Sequence, residues 1–438
     1  MSTTPVPPRA SLLLLAYLAF VSLGLPDGLL GVGWPSIRGD FGVPTEAVGL
    51  LLTAGTAGYL TSSVLAGFTL ARVGVGALLA GSTLLASLAL TGYSVSPGLT
   101  VLVGCALLLG LGSGAIDSGL NAYAAGAFGP RHMNWMHAFF GLGVAIGPLI
   151  MTGALSAGLA WRWGYGIVAA AQLALATAFA LTVRAWRQRA APGGPVERAP
   201  GPRPVVRVRE TLRLPAVWSG ALAFALYVAI EVAAGLWAFL LLTEGRGLGA
   251  TVAGACVSAY WGSLFLGRVV QGVVAERLGP ARVLRVSLAG MAVGAALIAV
   301  PGPAALAVAG LVVVGFAAAP VFPLLTLTTA DRVGAAHADR AIGLQIGAAG
   351  LGAALVPAGL GVLIGNTSVR VLGPALLVLA LALIALHELG VRRPGRPATG
   401  ASGDSAPDET GAQPAASRQP SGADQMLSGP VRPVVEGR

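Results

Sequence analysis

The chain has 438 residues, of which 55% are hydrophobic and only 10% are charged, whereas an average soluble domain is about 25% charged. Its net charge of +10 comes from basic residues that are all arginine and that lie mainly between and after apolar segments. Without a compact basic face or a recognition motif, nucleic-acid binding is excluded. The composition excludes a soluble domain and predicts an all-α membrane protein.

Apolar segments follow one another along the whole chain, and each is long enough to span a bilayer, which takes about 20 residues. The first has no small-residue cleavage site after it, so we interpret it as a helix and not as a signal peptide. The twelve predicted helices cover residues 10–33, 45–70, 76–95, 99–125, 134–158, 164–187, 213–243, 250–275, 281–300, 304–330, 340–364 and 369–388.

Two stretches of the chain are not apolar. A Pro/Gly/Arg-rich stretch separates the apolar segments at the midpoint, and a Pro/Ser/Gly/Asp-rich C-terminus with few apolar residues follows the last of them. We therefore expect five parts: a cytoplasmic N-terminus over 1–9, a six-helix bundle over 10–187, a cytoplasmic linker over 188–212, a second six-helix bundle over 213–389 and a disordered cytoplasmic tail over 390–438.

The arginines predict the orientation, because positive loops stay on the cytoplasmic side. With the N-terminus inside, the outer loops receive only Arg38, Arg162, Arg246 and Arg370, and most others fall on the cytoplasmic side. We expect a multi-pass protein of a bacterial inner (plasma) membrane with both termini cytoplasmic.

The two halves contain related segments. At an offset of 205, residues 67–74 overlay residues 272–279, where the second predicted helix of each half meets the third. At an offset of 209, residues 141–148 overlay residues 350–357 in the fifth helix of each half. Two matches at nearly the same offset, each in the equivalent helix, indicate parallel halves.

The first match resembles the cytoplasmic signature of the major facilitator superfamily, in which a glycine, three residues, an acid, an arginine, any residue and a glycine follow one another. That resemblance implies a gating motif and a fold of twelve helices in two pseudosymmetric six-helix bundles. The N-terminal copy departs from the signature, with Ala71 at the position of the acid. The gating residues of the two copies are Gly67, Arg72, Gly74, Gly272, Glu276, Arg277 and Gly279.

Three acids fall inside the predicted spans, where a charged side chain costs about 2.5–3.5 kcal/mol. We expect Asp27 in the outer half of the bilayer, Glu231 near its middle and Asp117 in its inner half. Each fits a packing role, with Asp27 accepting from backbone donors freed at Pro26. Each also fits a central cavity, where it binds substrate hydroxyls or carries a proton, since a carboxyl in low dielectric can titrate near neutral pH.

The repeat separates these acids. Asp27 and Glu231 overlay at an offset of 204, whereas Asp117 and Asn121 overlay Phe322 and Thr326. Asp117 and Asn121 are four residues apart and share one helix face. A carboxylate beside an amide offers acceptors and donors suited to vicinal hydroxyls, so we rank Asp117 first for substrate binding and proton coupling.

Several segments are similar to the fucose-permease-like branch of the superfamily: Leu25-Pro-Asp27-Gly28, Asp117-Ser-Gly-Leu-Asn121, Met133-Asn-Trp-Met-His137 with Gly141, and Tyr227-Val-Ala-Ile-Glu231. This resemblance implies proton-coupled uptake of monosaccharides and membrane acids in helices 1 and 4, here Asp27 and Asp117.

Three more side chains are candidates for the site, each with a packing alternative. His137 fits a proton relay or a helix cap, Gln345 fits substrate binding or a bond to a neighbouring backbone, and Trp237 fits stacking on a sugar or filling space. Gly143-x-x-x-Gly147-Pro148 resembles part of the helix 5 signature of drug–proton antiporters, and it also fits small-residue packing.

The sequence thus predicts a proton-coupled symporter for a small neutral hydroxylated solute, with a monosaccharide as the first candidate. The alternative is a proton-driven multidrug or metabolite efflux antiporter. A membrane-embedded sensor does not explain three membrane acids. We expect no enzymatic activity, cofactor or metal site, and a monomer whose partners are the solute, a proton and the lipid bilayer.

Overall fold

A computed structural model describes residues 10–186 and 207–392, without the side chains of Gly129, Pro130, Asn134, 271–276, Val391 and Arg392. The predicted N-terminus 1–9, most of the linker 188–212 and nearly all of the tail 390–438 lie outside the described residues. The helices of the first part are α1 (Ala10–Phe41), α2 (Val48–Val95), α3 (Leu99–Ala127), α4 (Gly129–Ser156) and α5 (Trp161–Thr182).

The second part has more, and shorter, helices. They are α6 (Val208–Leu212), α7 (Pro215–Leu240), α8 (Ala250–Leu278), α9 (Pro280–Ala299), α10 (Ala304–Ala318), α11 (Val321–Leu327), α12 (Thr329–Val333), α13 (Ala335–Asn366) and α14 (Leu372–Arg392). The short helix α6 lies inside the predicted linker. Predicted helix 10 is divided, because Pro320, which lacks an N–H group, stands between α10 and α11.

Predicted helices 2 and 3 form the single element α2, which Gly74 interrupts. This glycine has φ +77° and ψ +166°, outside the helical region, and a residue with a side chain rarely adopts such a φ. The described residues contain 11 stretches long and apolar enough to cross a membrane, and the stretch through α2, which is interrupted at Gly74, holds two of the twelve spans. The predicted all-helical fold class is confirmed.

The predicted end of the first helix at residue 33 is wrong, because α1 continues through Pro26 and Pro35 to Phe41. Tertiary contacts stabilise this extension: Trp34 is buried, and its indole Nε1 donates to the carbonyl oxygen of Thr45 at 3.0 Å. Membrane helices tolerate proline where neighbouring groups satisfy the freed backbone atoms.

Equivalent close contacts confirm that the halves are pseudosymmetric. A Cβ added to Gly143 would lie 2.0 Å from the carbonyl oxygen of Val21, and one added to Gly352 would lie 2.2 Å from that of Ala225. These pairs match at the offsets of 209 and 204 found in the sequence. Gly279, the mate of Gly74, likewise has a positive φ of +83°.

The halves meet along two seams, α4 against α8 and α2 against α13. We call the end of the bundle that bears Ala10 the N-terminal face and the end that bears Phe41 the far face. At the far face, Arg38 Nη2 pairs with Glu244 Oε1 at 2.9 Å, and the hydroxyls of Ser156 and Thr251 lie 2.9 Å apart. These contacts join the two halves, so the bundle is closed at the far face.

Candidate functional site

Asp117 is the centre of a polar cluster in the N-terminal half. The hydroxyl of Tyr59, on α2, donates to its Oδ2 at 2.7 Å. The amide Nδ2 of Asn121, one turn along α3, donates to its Oδ1 at 3.0 Å. The other amide atom, Asn121 Oδ1, is buried and has no hydrogen-bond partner. The structure therefore brings the predicted pair together and adds Tyr59, which the sequence analysis did not single out.

Asp27 lies deep in the N-terminal half and is nevertheless exposed. Its carboxylate is within electrostatic range of the hydroxyls of Tyr59, Tyr93 and Tyr165, and Tyr93 and Tyr165 are buried. Asp27 is therefore accessible to water although two of the tyrosines around it are buried. Because α1 runs through Pro26 as a helix, the packing role at a helix break is not favoured.

Glu231 forms the corresponding cluster in the C-terminal half. The hydroxyl of Tyr227, one turn earlier on α7, donates to its Oε2, and the hydroxyl of Tyr260, on α8, donates to its backbone carbonyl at 2.7 Å. Arg268 Nη2 lies 3.9 Å from Glu231 Oε1. At that distance the two charges form an ion pair, but the atoms are too far apart for a good hydrogen bond.

Arg268 is the functional candidate that sequence reasoning missed. It lies in the apolar stretch Ala250–Val270, so the rule that singled out the three acids also applied to this arginine. Its Nη1 donates to the backbone carbonyl of His137 on α4 at 3.3 Å. His137 is within electrostatic range of both Asp117 and Arg268. A chain of polar groups therefore runs from Asp117 through His137 and Arg268 to Glu231, across the α4–α8 seam.

The side chains of Gln345 and Trp237 form hydrogen bonds between neighbouring helices. Gln345 is buried and its Oε1 accepts from the hydroxyl of Thr329 at 3.0 Å. Trp237 is buried and its Nε1 donates to the carbonyl oxygen of Pro357 at 3.1 Å. These bonds join α12 and α7 to α13 and favour the packing alternative for both side chains.

The two copies of the gating motif lie at the N-terminal face. Arg72 and Arg277 are exposed, and a Cβ added to Gly67 would meet nothing within 4 Å. Gly272 and Glu276 lie on α8, but the surroundings of both residues are outside the described part of the chain. A gating role for this motif stays a prediction.

The comparison with protein families matches this chain to the model of the Major Facilitator Superfamily, over residues 16–357 and 234–429. Solved structures share the fold at low identity. The nucleoside transporter NupG has a TM-score of 0.69 and 14% identity, over 87% of this chain and 100% of that one.

Two other transporters are equally similar in structure. A bacterial homolog of the human lysosomal transporter Spinster, in an inward-facing and occupied conformation, has a TM-score of 0.68 and 15% identity, over 90% of this chain and 100% of that one. The peptide transporter POT has a TM-score of 0.69 and 16% identity, over 89% of this chain and 98% of that one.

Proposed function

Because the chain belongs to the Major Facilitator Superfamily, we propose that it moves a small neutral hydroxylated solute, a monosaccharide first, by alternating access with proton symport. The two halves rock about a site near the bilayer midplane, as transporters built from repeats do. The arginine distribution favours a cytoplasmic location for the N-terminal face.

The observation that carries the proposal is the set of partners around Asp117. Its carboxylate accepts hydrogen bonds from two neutral donors, Tyr59 and Asn121, and no described arginine pairs with it. Such a carboxylate can take up a proton without breaking an ion pair. The neighbouring acceptor Asn121 Oδ1 has no donor, and a substrate hydroxyl both donates and accepts.

The charge balance of the site disfavours an anionic solute. Asp27, Asp117 and Glu231 are carboxylates, and among the described residues Arg268 is the cation that lies with them. Acids therefore exceed bases, and an anionic solute would be repelled unless several acids were protonated.

The antiporter alternative rested on Gly143 and Gly147. A Cβ on Gly147 would lie 2.5 Å from the carbonyl oxygen of Leu25, and Gly143 is as close to Val21. Both glycines thus let α4 pack on α1, which supports the packing interpretation of this motif. We therefore favour import over efflux.

The direct test is an uptake screen in proteoliposomes with a panel of monosaccharides, nucleosides and sugar acids. We expect a neutral hydroxylated solute to accumulate against its gradient when the outside is acidic, and to equilibrate without accumulation when the pH gradient is collapsed. Accumulation driven by a sodium gradient alone, or accumulation of anions only, would contradict the proposal.

Asn121 gives a separate prediction for binding. Asn121→Ala removes the amide that contacts Asp117 and the acceptor proposed for a substrate hydroxyl, so we expect solute affinity to fall by about 1–3 kcal/mol. Coupling should persist, because the carboxylate of Asp117 remains. The Km for uptake and the ratio of accumulated solute with and without a pH gradient check the two parts independently.

A further inference from the structure

Arg268 has two neighbours that belong to different halves of the protein. Its side chain is 22% exposed, and that of Glu231 is 13% exposed. The carboxylate of Glu231 belongs to α7 in the C-terminal half, and the carbonyl of His137 belongs to α4 in the N-terminal half. Taking a guanidinium out of water is costly unless it is paired, so both neighbours compensate the same charge.

The repeat shows that this contact breaks the symmetry of the two seams. In the α4–α8 seam, a Cβ on Gly141 would lie 3.6 Å from Phe265. The repeat pairs Phe265 with Leu60, and in the α2–α13 seam a Cβ on Gly350 would also lie 3.6 Å from Leu60. The seams match at this level. One turn nearer the N-terminal face, they differ.

At that next turn, the repeat offsets pair Arg268 with Ser63 and His137 with Ile346. Neither Ser63 nor Ile346 carries a charge, and Ile346 is 44% exposed. A hydrogen bond from a charged donor therefore crosses the α4–α8 seam where the α2–α13 seam has a small hydroxyl and an exposed aliphatic side chain. This difference gives the two seams unequal polar contacts near the N-terminal face.

We propose that Arg268 is a positioning residue that holds α4 on α8 through the carbonyl of His137, and that the charge of Glu231 controls the strength of this hold. As a step in coupled transport the idea rests on the proposed function, but the contact itself does not. When Glu231 is ionised, it competes with His137 for the guanidinium. When Glu231 is neutral, the guanidinium is free to bond across the seam.

The other groups around the pair are compatible with this role. The hydroxyl of Tyr227 donates to the carboxylate of Glu231, and that of Tyr260 donates to its backbone carbonyl. Glu231 therefore keeps its position on α7 whether Arg268 binds to its carboxylate or to the carbonyl of His137. On the other side of the seam, His137 is within electrostatic range of both Arg268 and Asp117.

The test measures the distance between α4 and α8 at the N-terminal face by double electron–electron resonance in nanodiscs. Spin labels go on Arg131→Cys and Leu278→Cys, both exposed at the ends of these helices, after Cys105 and Cys256 have been replaced by serine. The short-distance population is the part of the distance distribution in which α4 and α8 lie close together. We expect Arg268→Gln to lose this population and Glu231→Gln to increase it. Arg268→Lys, which keeps the charge, should restore part of it.

Three controls are built into the chain. His137→Ala keeps the accepting carbonyl and should leave the distance unchanged, and Ser63→Ala, at the equivalent position, should do the same. If Arg268→Gln fails to fold because Glu231 is left unpaired, the double variant Arg268→Gln/Glu231→Gln removes both charges and should also lose the short distance. An unchanged distance in these arginine variants, or a loss of the short distance in Glu231→Gln, overturns the proposal. The measurement needs neither solute nor gradient, so a failed uptake screen does not decide it.

Discussion

Replacing Asp117 by asparagine is expected to abolish uphill, pH-driven accumulation while solute exchange continues. The amide keeps the size of the carboxylate and can still bond to Tyr59 and Asn121, whose bonds to Asp117 are 2.7 and 3.0 Å long. It cannot take up and release a proton. Exchange needs no net proton movement, so it should stay measurable, and counterflow of labelled solute in proteoliposomes compares the two activities directly.

The other two membrane acids serve as matched controls. Asp27→Asn removes the exposed carboxylate of the same half, and Glu231→Gln removes the one that pairs with Arg268 at 3.9 Å. If one of these uncouples transport while Asp117→Asn accumulates normally, Asp117 is the wrong carboxylate. If accumulation survives in all three variants, proton symport is wrong, and facilitated diffusion or sodium coupling must replace it.

Local features of the sequence were sufficient for the spans, the repeat and the pair Asp117–Asn121. Hydropathy is a property of consecutive residues, and residues four apart on a helix always share a face. These features are therefore independent of how the helices pack together. The same reasoning explains why Gly74, between two spans, was correctly expected at a break.

Two of the parts that sequence reasoning missed depend on tertiary contacts. Trp34 extends α1 past residue 33 because its indole bonds to Thr45 beyond the helix end. Arg268 meets the carbonyl of His137, 131 residues away. No periodicity indicates that partner, because the contact exists only once α4 and α8 pack together. An arginine in a predicted span was the available signal.

Gly143→Ala should destabilise the folded protein, whereas Gly153→Ala on the same helix should not. A Cβ on Gly143 would lie 2.0 Å from the carbonyl oxygen of Val21 and 2.8 Å from its carbonyl carbon, and these backbone atoms cannot move without shifting α1. A Cβ on Gly153 would meet nothing within 4 Å. Both changes replace glycine by alanine inside α4, so their intrinsic effects on helix formation cancel and the difference isolates packing.

We expect Gly143→Ala to cost about 1–3 kcal/mol, the usual range for overpacking, and to lower the apparent Tm in detergent relative to Gly153→Ala. The repeat extends the test to the other half, where Gly352 lies 2.2 Å from the carbonyl oxygen of Ala225 by the same measure and Gly359 meets nothing within 4 Å. Gly352→Ala and Gly359→Ala should therefore repeat the contrast. A Gly143→Ala protein that keeps its Tm and loses only transport would mean that this glycine acts in transport itself, and would restore the antiporter interpretation of the motif.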